Sequence, residues 1–119
     1  MDNLDFSDEL NDLLIRAEQD DAEAQYLIGR KYYVGDDFVQ NFEEAFKWST
    51  KAAEKGIAEA QNNLGNCYFH GKGTIQNIEK GLELYKKSAE QSVAAAQYNL
   101  ALCFYYGEGV MQNYGTAIK

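Results

Sequence analysis

The 119-residue chain contains no proline, one histidine and two cysteines, and it has no long apolar run. The absence of proline is typical of helical proteins, because an internal proline removes a backbone hydrogen bond and clashes with the preceding turn. No segment approaches the roughly 20 apolar residues that a membrane-spanning helix needs. The first 20 residues are acidic and lack the basic start and apolar stretch of a signal peptide. The sequence therefore predicts a cytoplasmic protein that does not contact a membrane.

Basic residues are scarce at the N-terminal end. Residues 1–23 contain nine acidic side chains and one basic side chain, Arg16, whereas the rest of the chain contains ten of each sign. The net charge of −8 therefore arises in this segment. Nucleic-acid binding requires a basic stripe that neutralises phosphates, and no such stripe is visible, so no nucleic-acid partner is expected. The acidic segment is interpreted as a solubilising end of the fold or as a surface that attracts a basic partner.

A period of 36 residues runs through the chain. The sequence Ala-Glu-Ala-Gln at 22–25 returns at 58–61, and Ala-Ala-Ala-Gln follows at 94–97. Further columns with this offset are Tyr32/Tyr68/Phe104, Gly35/Gly71/Gly107, Gln40/Gln76/Gln112 and Asn41/Asn77/Asn113. A fixed period of this length indicates stacked repeats, in which each unit buries its apolar side against its neighbours.

The period divides the chain into a capping segment and three repeats. Residues 1–20 are predicted to form an acidic capping helix from about residue 7, with Ser7 or Asp8 as its N-cap. The repeats are predicted at 21–56, 57–92 and 93–119, each with two helices, the last with a truncated second helix. First helices are expected near 22–34, 58–70 and 94–106, and second helices near 41–54 and 77–91.

Glycine occurs inside two of the predicted first helices, at Gly29 and Gly65. A glycine in a helix interior costs about 1 kcal/mol relative to alanine. Both residues lie beside the apolar stripe that Ala24, Ile28 and Tyr32 begin. We therefore expect a neighbouring helix to cross closely at these glycines.

The repeated pattern carries a family resemblance. It reads Ala-x-Ala-Gln-x-x-Leu-Gly-x-x-Tyr-x-x-Gly-x-Gly, followed by a second helix that opens at asparagine. This pattern, over residues 22–118, resembles the Sel-1-like repeat, a relative of the tetratricopeptide repeat. Asparagine stands at 41, 77 and 113 where family members often have aspartate, and Gly81 replaces the usual alanine. The resemblance implies an all-α solenoid of stacked antiparallel helix pairs whose first helices line the concave side.

Few residues are suited to catalysis or metal binding. Cys67 and His70 lie three residues apart on a predicted helix, but the sequence supplies no clear third and fourth metal ligand. Cys67 and Cys103 are one period apart, which predicts a separation of about 8–10 Å, too far for a disulfide. They are interpreted as unbridged thiols. The sequence therefore predicts a protein that is not an enzyme and has no cofactor, with a Cys67/His70 metal site as the weaker alternative.

The variable columns of the first helices identify the candidate binding surface. These columns face away from the buried stripe and change from repeat to repeat, so they are free for recognition. Asparagine amides can hydrogen-bond an extended peptide, and tyrosine adds a rigid contact area. The predicted protein-binding residues are Tyr26, Leu27, Arg30, Asn62, Asn63, Asn66, His70, Tyr98, Asn99, Leu102 and Tyr106.

Two functions follow as hypotheses. The first is a non-enzymatic adaptor or scaffold that holds a peptide or protein segment on the concave face, as the resemblance implies. The alternative is an acidic inhibitor or immunity-type protein that blocks a basic partner enzyme. Self-association through the incomplete C-terminal repeat is a further prediction, because its apolar edge would be left for another copy to cover.

Overall fold

The computed structural model describes residues 8–107, and every regular element in that range is an α-helix. The helices are α1 (Asp8–Glu18), α2 (Ala22–Val34), α3 (Phe42–Glu54), α4 (Ala58–His70), α5 (Ile78–Ala89) and α6 (Ala94–Tyr106). The predicted cap at Ser7 and the helix expected to open at Asn113 lie outside the described residues. The incomplete repeat on which the predicted self-association depends is described only as far as residue 107.

The three first helices, α2, α4 and α6, have the predicted bounds. Each is followed by a glycine in the left-handed conformation, with φ of 79° at Gly35, 68° at Gly71 and 75° at Gly107. Glycine adopts this conformation without the steric penalty of a side chain. Its backbone N–H donates to a carbonyl of the last helical turn, which satisfies a group that the helix end leaves unpaired.

The second helices, α3 and α5, are capped by the asparagines that recur in the sequence. Oδ1 of Asn41 accepts a hydrogen bond from the backbone N–H of Glu44 at 3.0 Å, and Asn77 receives the same bond from Lys80. The predicted end of α5 at Gln91 is wrong by two residues. The helix stops earlier because the backbone turns after Ala89 and reaches a positive φ of 68° at Ser92.

The packing order shows which side of the solenoid is concave. Each helix packs against the next one along the chain, and in addition α2 contacts α4 and α4 contacts α6. Within the described helices, α3 and α5 make no such contact with each other. The first helices are therefore drawn together on the inner side, while the second helices are spread on the outer side. The helices are 11 to 13 residues long, and none in the described range is long and apolar enough to cross a membrane.

Close helix crossings explain the internal glycines. A Cβ placed on Gly65 would lie 2.9 Å from the ring carbon Cδ1 of Tyr85, and one placed on Gly81 would lie 2.8 Å from Cβ of Phe69. Real Cβ atoms essentially never approach so closely, so α4 and α5 cross with one glycine near the other. The expected close crossing is confirmed, and it accounts for glycine at 81 in place of alanine.

The two cysteines are buried and neither is part of a disulfide, as predicted. Cys67 is 0% exposed and Cys103 is 3% exposed. Burial raises the pKa of the Cys67 thiol to about 12, because the charged thiolate would lose its hydration. Cys67 is therefore a neutral core side chain at physiological pH.

Candidate functional site

A groove of about 470 Å³ opens between α2, α4 and the N-terminal end of α6. We call it the concave groove, since first helices form its walls. Its volume lies in the range of roughly 300–1,000 Å³ that is usual for ligand sites. The residues that line it are Tyr26, Arg30, Tyr33, Val34, Glu59, Asn62, Asn63, Asn66, Val93 and Ala95.

The concave groove contains five of the eleven predicted binding residues. These five are Tyr26, Arg30, Asn62, Asn63 and Asn66. The remaining six do not line it; they are Leu27, His70, Tyr98, Asn99, Leu102 and Tyr106. Of these six, Asn99 still adjoins the groove, since it donates a hydrogen bond to the groove residue Asn62.

Leu27 and the α6 residues are displaced from the groove for different reasons. Leu27 lines a separate groove of about 410 Å³ beside α1, because in the described chain no first helix precedes α2. Tyr98 and Tyr106 are 66% and 60% exposed, on parts of α6 that lie beyond the groove. His70 is also exposed, at the end of α4, where its ring contacts Phe69.

Asn62 is more buried than we expect for a residue that is free to contact a partner. It is 6% exposed, and its Oδ1 accepts a hydrogen bond from Nδ2 of Asn99 at 3.1 Å. The bond joins α4 to α6, which accounts for the partial burial of Asn99 as well. Asn62 and Asn99 therefore each use one group of the side-chain amide to hold neighbouring repeats together.

Asn66 connects the groove to the core. Its Oδ1 accepts a hydrogen bond from the hydroxyl of Tyr85 at 2.6 Å. Tyr85 is 2% exposed, and burial raises its pKa well above the usual value for tyrosine, so the hydroxyl remains a donor. A core residue on α5 therefore fixes the orientation of an amide that faces the groove.

The groove has, among the described residues, one basic residue, Arg30, and one acidic residue, Glu59, at different positions along its length. Arg30 is exposed and forms no ion pair with residues 8–107, and it shares a repeat column with Asn66. Glu59 lies seven residues before Asn66 on α4, which corresponds to about 10 Å along the helix axis. The groove is therefore positively charged near Arg30 and Asn66 and negatively charged near the start of α4.

The predicted list of binding residues omitted Tyr33, Val34, Glu59, Val93 and Ala95. Helical spacing could have identified three of them. Residues 26, 30, 33 and 34 of α2 follow one face, and residues 59, 62, 63 and 66 of α4 follow another, because side chains three and four apart are neighbours. Tyr33, Val34 and Glu59 complete these faces. No comparable signal marks Val93 and Ala95, which enter the groove from the turn before α6 and its first residues.

The acidic residues next to α2 have partners within the fold. Asp21 accepts a hydrogen bond from the backbone N–H of Ala24 at 3.1 Å and a second from Arg16 at 3.0 Å. Asp20 pairs with Lys55, with an Nζ to Oδ1 distance of 2.9 Å. Part of the acidic segment therefore stabilises the junction between α1, α2 and α3.

The hypothetical metal site has no support in the geometry. Cys67 is fully buried, whereas His70 is exposed. Over residues 8–107 there is no group of three or more histidine, cysteine, aspartate or glutamate side chains that could hold a metal ion.

The fold and the groove define a helical-repeat protein of the α-solenoid class. The family model described as Sel1 repeat matches residues 22–57, 58–93 and 94–119, which together account for most of the chain. The chain belongs to the Sel1 repeat family. Members of this family are typically protein-interaction modules and are generally not enzymes.

Solved structures of family members share the fold. A protective antigen of uropathogenic Escherichia coli with an SLR fold is 33% identical over 85% of this chain, with a TM-score of 0.78. A Sel1 repeat protein from Oxalobacter formigenes is 39% identical over 84% of this chain, with a TM-score of 0.73. The chain spans 22% of the first protein and 41% of the second. The comparison with curated proteins finds no match.

Proposed function

We propose that this chain is a non-enzymatic adaptor whose concave groove holds an extended segment of a partner protein. The observation that carries this proposal is the composition of the groove, in which three asparagines from α4 face two tyrosines from α2. An extended segment exposes backbone donors and acceptors that asparagine amides can match. Tyrosine supplies rigid apolar area at a low entropic cost.

Asn63 is suited to contact with such a segment. It lines the groove and is partly buried, and its side-chain amide makes no hydrogen bond with another described residue. Both its amide oxygen and its amide nitrogen are therefore available to a ligand. Tyr33 lies on the facing helix, where its ring is held edge-on against Phe42 at 5.3 Å between centroids. The groove thus combines free polar groups with a positioned aromatic ring.

The alternative, an acidic surface that blocks a basic enzyme, gains no comparable support. Asp20 and Asp21 are engaged with Lys55 and Arg16, so their charge is partly compensated inside the fold. We therefore place the partner in the groove and not on the acidic segment.

Site-specific photo-crosslinking tests this proposal. A photoreactive amino acid is placed at Asn63 in the groove, at Lys87 on the exposed side of α5, or at Asp12 on α1, and each protein is irradiated in a lysate of the source cells. We expect adducts from position 63 that survive high salt, because groove contacts rest on burial and hydrogen bonds. Adducts from position 12 alone that disappear in salt would support the acidic surface. Equal adducts from all three positions would contradict a specific site.

A further inference from the structure

We infer that the concave groove receives a carboxylate of the partner segment, from an acidic side chain or a free C-terminus, because its fixed amides present N–H donors. This inference rests on the proposed function, since it specifies the chemistry of the segment that the groove holds. The reason is that the side-chain oxygens of Asn62 and Asn66 already accept hydrogen bonds within the protein, which leaves their NH2 groups for a ligand.

The first step concerns Asn66. A carboxamide has one acceptor atom, its oxygen, and one donor group, its NH2. The oxygen of Asn66 already accepts from the hydroxyl of Tyr85, at 2.6 Å. Within residues 8–107 no group accepts a hydrogen bond from its Nδ2. Because Asn66 lines the groove, its NH2 group is the part of the amide available to a ligand.

The second step concerns Asn62, one turn earlier on the same helix. Its oxygen accepts from Asn99, and its Nδ2 likewise has no acceptor among the described residues. The residue is 6% exposed, so its donor has little access to bulk water. A buried donor without a partner is unfavourable, and a ligand oxygen in the groove would satisfy it.

The positive charge of Arg30 accompanies the NH2 donors of Asn62 and Asn66 in the groove. Arg30 lines the same groove from α2, in the repeat column of Asn66, and has no acidic partner among residues 8–107. A guanidinium group binds carboxylates through several N–H donors at once. Glu59 lies about 10 Å from Asn66 along α4, so it repels a carboxylate from the other end of the groove. The charges therefore place the bound carboxylate near Arg30 and Asn66.

Tyr85 is a positioning residue in this account. It lies in the core on α5, so it acts on the ligand only through Asn66. In repeat one, Ser49 stands at the position equivalent to Tyr85, and Arg30 at the position equivalent to Asn66. The Tyr85–Asn66 pair of repeat two therefore has no counterpart in repeat one. Removal of the Tyr85 hydroxyl would allow Asn66 to turn its oxygen towards the groove and repel the carboxylate.

Three pools of synthetic random heptapeptides test the inference by affinity selection and fluorescence anisotropy. The first pool has free C-termini but no aspartate or glutamate. The second has amidated C-termini and contains aspartate and glutamate. The third is amidated and contains neither. We expect the first or second pool to bind at least about tenfold more tightly than the third, and the one that binds identifies the source of the carboxylate.

Variants locate the effect in the groove. Asn66→Asp retains an acceptor for the Tyr85 hydroxyl but replaces the groove-facing NH2 with a negative charge. It should weaken binding of the carboxylate pool by about tenfold or more, whereas Gln19→Glu, a matched charge change in the exposed turn after α1, should leave binding unchanged. Tyr85→Phe should weaken binding by about three- to tenfold. Thermal melts followed by circular dichroism confirm that each variant is folded, and Asn66→Asp is the variant expected to keep the core intact.

The carboxylate inference can fail while the proposed function stands, and the experiments distinguish the two cases. If the third pool binds as tightly as the others, or Asn66→Asp binds the carboxylate pool normally, the carboxylate inference is overturned while the groove remains a peptide site. If no pool binds, and crosslinking from position 63 also yields no partner, both the inference and the proposed function are overturned.

Discussion

The ring of Tyr85 fills the space in which a side chain at Gly65 would lie, with 2.9 Å between its Cδ1 and the Cβ that Gly65 lacks. The same tyrosine donates its hydroxyl to Asn66. One core side chain thus sets both the crossing of α4 with α5 and the orientation of a groove amide. Changes at this crossing should therefore affect the stability of the repeat and the chemistry of the groove.

Gly65→Leu tests the close crossing. We expect a loss of stability of about 1–3 kcal/mol or more, because a larger side chain must displace the buried ring of Tyr85. Urea denaturation followed by circular dichroism measures the change. Lys87→Leu, at an exposed position on α5, is the control and should have little effect. A Gly65→Leu protein as stable as the parent would contradict the crossing.

Gly73 is predicted to be the least replaceable loop residue. Its φ is +76°, and a Cβ there would overlap the carbonyl oxygen of Phe42 at the start of α3. Gly73→Asp should therefore destabilise the fold by at least about 2 kcal/mol, through left-handed strain and steric overlap. The control is Asp37→Gly in repeat one, where Asp37 already has φ of 71° and forms only an exposed ion pair with Lys31. That change should be nearly neutral in urea denaturation, and equal losses in both variants would refute the explanation.

The asparagine caps should account for part of the helix stability. Asn41→Ala removes the acceptor for the backbone N–H of Glu44 and should cost about 1 kcal/mol. Asn41→Asp retains that acceptor and adds a favourable charge at the helix N-terminus, so it should be neutral or slightly stabilising. Thermal melts of the two variants give the comparison. Equal destabilisation by both substitutions would show that the cap bond is unimportant.

Asp21 predicts a dependence of stability on pH. Its pKa is lowered, first by the hydrogen bond from the backbone N–H of Ala24 and then by Arg16. Because the folded pKa lies below the unfolded value of about 3.9, the ionised carboxylate stabilises the fold above that value, and this contribution is lost as the pH falls through the folded pKa. The melting temperature of the parent should exceed that of Asp21→Asn near neutral pH and approach it in strong acid. A difference that persists in acid would contradict this assignment.

The sequence predicted the helices well because their ends depend on local chemistry. Gly35, Gly71 and Gly107 end the first helices, and Asn41 and Asn77 open the second helices, through bonds to residues a few positions away. These signals repeat every 36 residues, so each copy supports the others. The family resemblance and the all-α solenoid fold are confirmed by the family match and the related structures.

The site was predicted less completely because its geometry depends on contacts between repeats. Asn62 is buried by Asn99, 37 residues later, and no local pattern shows this. The bond from Tyr85 to Asn66 is also specific to one repeat, since the column of Tyr85 contains serine in repeat one. Variation between repeats pointed to the first helices, but it could not distinguish the residues that line the groove from those outside it.

The most direct test of the central claim is to map the bound segment by nuclear magnetic resonance. The protein is labelled with 15N, and the carboxylate-containing heptapeptide pool is titrated into it while backbone and side-chain amide signals are followed. We expect the largest shifts in the side-chain NH2 groups of Asn62, Asn63 and Asn66 and in the guanidinium N–H of Arg30. Shifts confined to α1, or to the outer helices α3 and α5, would contradict the concave groove as the binding surface.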